Sequence, residues 1–255
     1  MRRRFGALIL GAMGLLTALS QPTGGAAQPG VVAGARCATN MVAVDGFCID
    51  AFEASVEALV DGAWVPHEPN RPVAARRVRA VSAPRVLPQA YISQEEAKAA
   101  CREAGKRLCT TGEWVRACKG TPSTLYPYGT RRRGGLCNDR GREPLAVIRR
   151  GASSDAAWSF DAMNDPRLSL VAGGLAPTGL FSRCRSDEAI YDMVGNLHEW
   201  TADERGALRG GFYLDVQKLG EGCDYEAIGH DTRYRDYSTG FRCCSDAGAG
   251  GGPGR

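Results

Sequence analysis

The stretch YDMVGNLHEW, residues 191–200, places two carboxylates and one glycine in a short apolar segment. Asp192 and Glu199 supply hard oxygen atoms, and Gly195 permits a sharp turn that directs backbone carbonyls to one side. Calcium in proteins binds about six to eight oxygens, taken from carboxylates and carbonyls. The segment therefore predicts a calcium-binding turn, or alternatively a turn whose carboxylates cap backbone amides without a metal.

Upstream of this turn, residues 104–120 (AGKRLCTTGEWVRACKG) contain the end of one predicted helix and the whole of a second. Ser93 and Thr110 are each followed three residues later by a glutamate, Glu96 and Glu113. This spacing is typical of a capping box, in which the hydroxyl and the carboxylate each satisfy a free backbone amide.

Each predicted helix ends at a glycine, Gly105 and Gly120, and each presents one cysteine on its apolar face. These cysteines, Cys101 and Cys118, are interpreted as buried disulfide halves and not as reactive thiols. Short strands are predicted at Met41–Val44, Phe47–Ile49, Leu208–Leu214 and Gly240–Cys244. With 33 glycines and 13 prolines in 255 residues, the chain is predicted to be a loop-rich α+β domain.

The N-terminus has the order of a secretion signal. Three arginines precede an apolar run of about 15 residues, and small residues follow it, with cleavage after Ser20 or Ala27. A membrane anchor is the alternative, but the run is shorter than the roughly 20 residues that span a bilayer. We expect a signal peptide at 1–27, a disordered leader at 28–36, one domain at 37–246 and a disordered Gly-rich tail at 247–255.

Charge and cysteine content agree with export. The formal net charge is +4, and removing the three arginines of the signal leaves +1 (4 − 3), which does not favour nucleic-acid or membrane-surface binding. The ten cysteines all follow the signal, and no Cys-x-x-Cys spacing suggests zinc. An even number suits complete pairing in an oxidising compartment, so we expect a secreted or periplasmic protein.

Four segments together resemble the formylglycine-generating-enzyme (sulfatase-modifying-factor) family, in the order found in that family. They are residues 41–55 (MVAVDGFCIDAFEAS), 93–120, 191–200, and LRGGFYLD at 208–215 closing with TGFRCC at 239–244. The resemblance implies a variant of the C-type-lectin-like fold that is poor in regular secondary structure and stabilised by calcium.

The resemblance also implies the calcium ligands. Asp192 and Glu199 correspond to side-chain ligands, and Gly195 and Leu197 to backbone carbonyl ligands. Asn138 resembles one ligand of a second calcium site, whose acidic partner is not identified.

The disulfide pairing is implied in the same way for Cys101–Cys243 and Cys118–Cys223. Cys37 and Cys48 are close enough in sequence for a local bridge, and the adjacent Cys243 and Cys244 are expected to bond different partners because neighbours in a strand point to opposite faces. For the remaining cysteines we expect Cys137–Cys184 and Cys109–Cys244, although sequence alone does not determine connectivity.

The resemblance fails at one decisive place. The enzymes of the family use two cysteines, five residues apart and shortly after a Gly-Gly pair, to bind copper(I), and thiolates suit that soft ion. Here Asp215 stands where the first cysteine belongs after Gly210 and Gly211, and only Cys223 lies between Gly211 and Cys243. Formylglycine generation by that mechanism is therefore not expected.

Three functions remain to be compared. The first is a non-catalytic binding module that presents residues 121–190 as recognition loops to a protein, peptide or glycan. The second is an iron- or copper-dependent oxidase that uses Asp215, His198 and His230. The alternative interpretation of these histidines is that they are structural or surface residues. The third is an authentic formylglycine-generating enzyme. The missing cysteine pair separates the first from the third, and a bound redox metal separates the first from the second.

Overall fold

A computed structural model describes residues 37–74, 76–148, 156 and 158–248. The predicted signal peptide (1–27), the predicted leader (28–36) and most of the predicted tail lie outside the described residues. In the described ranges, no helix is long and apolar enough to cross a membrane.

Short strands alternate with short helices along the chain. The strands are β1 (Met41–Val44), β2 (Phe47–Asp50), β3 (Ala54–Val60), β4 (Ala63–Pro66), β5 (Val78–Ser82), β6 (Arg107–Leu108), β7 (His198–Trp200), β8 (Leu208–Arg209), β9 (Glu226–Ala227), β10 (Thr239–Phe241) and β11 (Cys243–Asp246). The described helices are α1 (Gln94–Glu103), α2 (Thr111–Lys119), α3 (Pro144–Ile148) and α4 (Phe160–Met163), with 3-10 turns at Leu168–Leu170 and Gly222–Asp224. The described residues therefore contain both helices and strands, as the sequence predicts.

Both long helices begin where the sequence predicts. The Ser93 hydroxyl accepts the Glu96 amide at 3.3 Å, and the Glu96 carboxylate accepts the Ser93 amide at 2.9 Å. Thr110 and Glu113 form the same reciprocal pair at the start of α2. The two capping boxes are confirmed, because their contacts depend only on residues three positions apart.

Two of the predicted strands differ from the structure. The strand predicted at Leu208–Leu214 ends at residue 209, because Gly210 and Gly211 adopt φ of +79° and +70° and turn the chain out of the sheet. The strand predicted at Gly240–Cys244 is two strands, β10 and β11, separated by Arg242. These two strands belong to different sheets, since β10 pairs with β7 whereas β11 pairs with β2 and β6.

Three small sheets organise these elements. The first has the order β1-β2-β11-β6, the second β10-β7-β8-β9 and the third β4-β3-β5. All their pairings are antiparallel except β10 with β7, which is parallel. Helix α1 packs against β5 and β6, and the fully buried Trp114 and Trp200 lie in two separate hydrophobic clusters.

Five disulfides connect distant parts of this framework, and they are the five pairs expected above: Cys37–Cys48, Cys101–Cys243, Cys109–Cys244, Cys118–Cys223 and Cys137–Cys184. The neighbours Cys243 and Cys244 bond different partners, one in α1 and one at the end of β6. Strand β11 is thereby bonded both to α1 and to the segment that joins the two helices.

Candidate functional site: a buried carboxylate turn and an adjacent pocket

The turn at residues 191–200 has an unusual backbone. Asp192, Gly195 and Asn196 have φ of +57°, +80° and +58°. A Cβ on Gly195 would lie 2.2 Å from the carbonyl oxygen of Asn138, so only glycine fits. The turn is buried, and its carboxylates therefore need partners inside the protein.

Glu199 finds its partners on two other elements. Its carboxylate accepts the Trp114 indole N–H at 2.8 Å and two guanidinium hydrogen bonds from Arg242, each at 2.6 Å. Arg242 also donates to the backbone carbonyls of Asp50 at 3.0 Å and Tyr191 at 2.9 Å. A buried guanidinium with donors in several directions thus joins β2, the turn and the chain between β10 and β11.

Two further carboxylates lie near Arg242. Glu53 accepts the Asn196 side-chain amide at 2.5 Å and the Leu197 backbone amide at 3.1 Å. Asp192 accepts the Gly179 backbone amide at 2.6 Å. Burial, with the nearby charges of Asp192 and Glu199, raises the pKa of Glu53 well above its usual value. Burial raises the pKa of Asp192 to about 6. Three carboxylates thus surround one guanidinium in the protein interior, and burial is the main cause of the raised pKa of Glu53 and of Asp192.

The four residues expected to bind calcium therefore lie in one buried turn. Asp192 and Glu199 supply oxygens there, but both Glu199 oxygens already accept hydrogen bonds from Arg242. Calcium at this turn stays a prediction. Asn138, predicted as a ligand of a second calcium site, contacts this turn: its amide donates to Asn196 Oδ1 and to the Gly174 carbonyl, both at 2.9 Å. The second site stays a prediction.

A pocket of about 230 Å³ opens beside this turn, and it brings together His198, Asp215 and His230. These are the three residues that the sequence suggests for a catalytic site. Phe212, which follows the Gly-Gly turn, packs against the His198 ring with a centroid separation of 4.7 Å. The turn out of the sheet at Gly210 and Gly211 therefore carries the following segment to the edge of the pocket.

A chain of hydrogen bonds crosses the pocket. The Tyr225 hydroxyl lies 3.2 Å from Asp215 Oδ2 and 3.3 Å from His198 Nε2. On its other side, His198 Nδ1 lies 3.2 Å from Ser238 Oγ, which donates to Asp236 at 2.8 Å. Burial and the neighbouring His230 lower the pKa of His198 to about 3, so its ring is neutral near pH 7.

The iron or copper site suggested by sequence stays a prediction, and its two histidines already have partners in the fold. Both ring nitrogens of His198 have hydroxyl partners, while His230 stacks on Tyr234 with a centroid separation of 4.7 Å. Among the residues that the structure describes, no group of three or more His, Cys, Asp or Glu side chains is arranged to hold a metal ion.

Sequence reasoning missed Arg242 and Glu53. Both lie in segments quoted for the resemblance, and both are charged residues among apolar neighbours, at 0% exposure. A charged side chain in a buried segment needs an opposite charge or a set of hydrogen bonds. That signal indicates burial with a partner, but it does not identify the partner.

Comparison with known proteins places the chain in a family. The model of the sulfatase-modifying factor enzyme 1-like domain matches residues 18–247, and the chain belongs to this family. It is 28% identical over 175 residues to inactive C-alpha-formylglycine-generating enzyme 2 of Bos taurus, covering 64% of this chain and 51% of that protein. It is 29% identical over 119 residues to the formylglycine-generating enzyme of Mycobacterium tuberculosis, covering 46% and 33%. The chain thus spans about half, or less, of the length of these relatives.

Among solved structures, PvdO from Pseudomonas aeruginosa aligns over 78% of this chain and 80% of its own, with 15% identity and a TM-score of 0.43. The I1 variant of Major Tropism Determinant aligns over 84% of this chain and 54% of its own, with 14% identity and a TM-score of 0.47.

Proposed function

We propose that this chain is a non-catalytic, divergent member of the family that binds a ligand and does not generate formylglycine. The observation that carries the proposal is the state of the cysteines, all ten of which are joined in five disulfides. A thiol that is bonded within the fold is not available to bind copper(I) or to exchange with a substrate thiol.

The segment after Gly210 and Gly211 supports this proposal. Asp215 Oδ1 accepts the backbone amides of Gln217 at 3.0 Å and Lys218 at 3.1 Å, which gives this carboxylate a role in a turn. The position five residues later is Gly220, where a Cβ would lie 2.6 Å from a backbone carbonyl oxygen. Neither position of the expected pair holds a thiol, and the second has no room for a side chain. The two mammalian relatives named inactive are in line with this interpretation.

The pocket beside the turn is the proposed binding site. Glu143, Trp158 and Met163 line it, and all three come from the variable stretch 121–190 that was predicted to carry recognition loops. A disulfide-bonded framework with a pocket lined by loop residues is the usual arrangement for a binding domain. The ligand class is a protein, peptide or glycan, and the low net charge argues against nucleic acid.

Calcium is the proposed structural ion. Asp192 and Glu199, with the carbonyls of Gly195 and Leu197, would hold it, and Asn138 would be a ligand of a second calcium ion. The clustering of three buried carboxyl groups, those of Glu53, Asp192 and Glu199, supports this assignment. In this role calcium neutralises carboxylates and stiffens the turn, which places His198 at the pocket. We also propose the C-type-lectin-like architecture, because the resemblance to the family implies it.

Export to an oxidising compartment is the proposed localisation, either the periplasm or the extracellular medium. Five disulfides in one domain support it, because disulfides persist mainly in such compartments. The predicted signal peptide is the proposed route.

A metal-dependent oxidase is the second candidate, since one pocket contains His198, His230 and Asp215. It ranks below the binding domain because both His198 ring nitrogens already have hydrogen-bond partners.

The deciding experiment uses the mature chain expressed in an oxidising compartment. We expect no titratable thiols under denaturing conditions, no iron or copper by elemental mass spectrometry after reconstitution, and no conversion of a cysteine-containing sulfatase peptide. The Mycobacterium tuberculosis enzyme in the same assay is the positive control. Formylglycine in the product peptide would overturn the proposal, and a tightly held equivalent of iron or copper would favour the oxidase.

A further inference from the structure

Four aromatic side chains contribute to the walls of the pocket beside the turn. Phe212, Tyr234 and Tyr237 line it, and Trp158 lies at its rim with 58% of its surface exposed. Phe212 meets Tyr237 nearly edge-on, with centroids 6.1 Å apart and planes at 67°. Aromatic faces carry partial negative charge and attract cations that approach within about 6 Å.

The same pocket is acidic. Glu143, Asp215 and Asp236 line it, together with one lysine, Lys218, and the imidazoles of His198 and His230. Burial raises the pKa of Asp236, so Glu143 and Asp215 are the main acidic groups. The hydrogen bonds recorded for these three carboxylates in the described chain come from backbone amides and hydroxyls, and not from lysine or arginine. Asp236, for example, accepts Ser238 and the Tyr234 hydroxyl at 2.6 Å, and Glu143 accepts the Leu145 amide at 3.1 Å. In the part of the chain that the structure describes, none of the three carboxylates forms an ion pair with lysine or arginine.

We propose that this pocket binds a primary alkylammonium group of about the size of a lysine side chain. The inference rests on the proposed function, in which the pocket binds a ligand instead of performing the family's chemistry. Carboxylate oxygens accept hydrogen bonds from an ammonium group, and the aromatic walls pack against its alkyl chain and stabilise its charge. A volume of about 230 Å³ suits one side chain or a small amine and is below the usual range for larger ligands.

The size and charge of the pocket disfavour other ligands. An anion would approach three carboxylates without a matching arginine cluster. A neutral alkyl group would fit the aromatic walls but would leave the carboxylates without a cationic partner. The ammonium group has two sources, a free amine or the lysine side chain of a peptide, and both share the chemistry that the pocket recognises.

The test is a titration of the oxidised chain followed by ¹⁵N–¹H correlation spectra. The Trp158 indole N–H, assigned with Trp158→Phe, is the reporter at the rim. The other indoles in family motifs are internally bonded, Trp114 to Glu199 and Trp200 to the Ile92 carbonyl. The probes are n-butylamine, N-acetyl-lysine methylamide and, as an uncharged match, n-butanol. We expect saturable shifts of the Trp158 signal with either or both amines, and binding at least about tenfold weaker with n-butanol.

Two variants test the carboxylates. Asp215→Asn keeps an oxygen for the Gln217 and Lys218 amides, and Glu143→Gln keeps one for the Leu145 amide, so both are expected to fold. Each should weaken amine binding about fivefold, the upper range for a partly exposed charge pair. Asp61→Asn, an exposed acid in the turn between β3 and β4, is the matched control and should bind like the parent.

Equal binding of n-butanol and n-butylamine, or unchanged amine affinity in both pocket variants, would overturn the inference. The result is separable from the proposed function. Failure to bind amines leaves the missing thiols and the absence of formylglycine production unaffected, whereas formylglycine production would overturn the proposed function whatever the amine titration showed.

Discussion

Arg242 and Glu199 form a two-point ion pair in which neither side chain reaches solvent. Nε and Nη2 of the arginine each lie 2.6 Å from a separate carboxylate oxygen, and the exposed fractions of the two side chains are 0% and 1%. The pair joins the end of the 191–200 turn to the chain between β10 and β11. Because the charges are shielded from water, losing one partner leaves the other buried without compensation.

Replacing Arg242 by methionine should therefore strongly destabilise the folded state. We expect the free energy of unfolding to fall by about 3–5 kcal/mol, measured by urea denaturation with the disulfides intact. Arg205 provides the control, since it also binds a carboxylate through two atoms but is 59% exposed. Arg205→Met should cost less than about 1 kcal/mol. Equal losses in the two variants would contradict the role given to burial.

The disulfides should differ in their contribution according to the length of chain that they close. Cys101–Cys243 spans 142 residues and Cys37–Cys48 spans 11. A disulfide restricts the unfolded chain more when it closes a longer loop. The free energy of unfolding should therefore fall by about 5 kcal/mol when Cys101 and Cys243 are both replaced by alanine, and by about 3 kcal/mol when Cys37 and Cys48 are. Parallel urea titrations of the two double variants measure this difference. A larger loss for the short loop would show that native-state packing, and not chain entropy, determines the contribution.

Calcium should stabilise the chain through Asp192. A ligand at a hundredfold excess over its dissociation constant adds about 2.7 kcal/mol to the stability of the folded state, so the melting temperature should rise with calcium and fall after chelation. Asp192→Asn keeps an oxygen for the Gly179 amide but removes the charge, and it should reduce the calcium response. Asp61→Asn should respond like the parent. A calcium-independent melting temperature in the parent chain would mean that Arg242 alone satisfies the turn.

The ionised carboxylate of Asp203 should contribute stability that the folded protein loses at low pH. Hydrogen bonds from Arg205, with its positive charge and a contact from Thr111, lower the pKa of Asp203 to about 2. A carboxylate in the unfolded chain has a pKa of about 3.9, so the unfolded state takes up the proton first. Its contribution is present above about pH 4 and is lost as the pH falls through about 2.

Comparison of urea midpoints at about pH 5 and pH 2.5 measures this effect. The difference between the two midpoints should be smaller in Asp203→Asn than in the parent chain. An equal difference in both would show that other carboxylates account for the acid sensitivity.

Sequence alone determined the features that depend on neighbours along the chain. The capping boxes at Ser93 and Thr110 follow from residues three positions apart, and the glycine at 195 follows from the turn it must form. The absence of a thiol at position 215 was also evident from the sequence, because it depends only on which residue stands there.

Only the tertiary structure decided which distant groups meet. Arg242 lies 43 positions from Glu199 and reaches it because the parallel pairing of β10 with β7 brings the two segments together. Asp215, His198 and His230 share a pocket because positive φ at Gly210 and Gly211 ends β8 and redirects the chain. Local patterns determine backbone preferences over a few residues, whereas the partner of a buried charge depends on how the sheets pack, and no single segment contains that information.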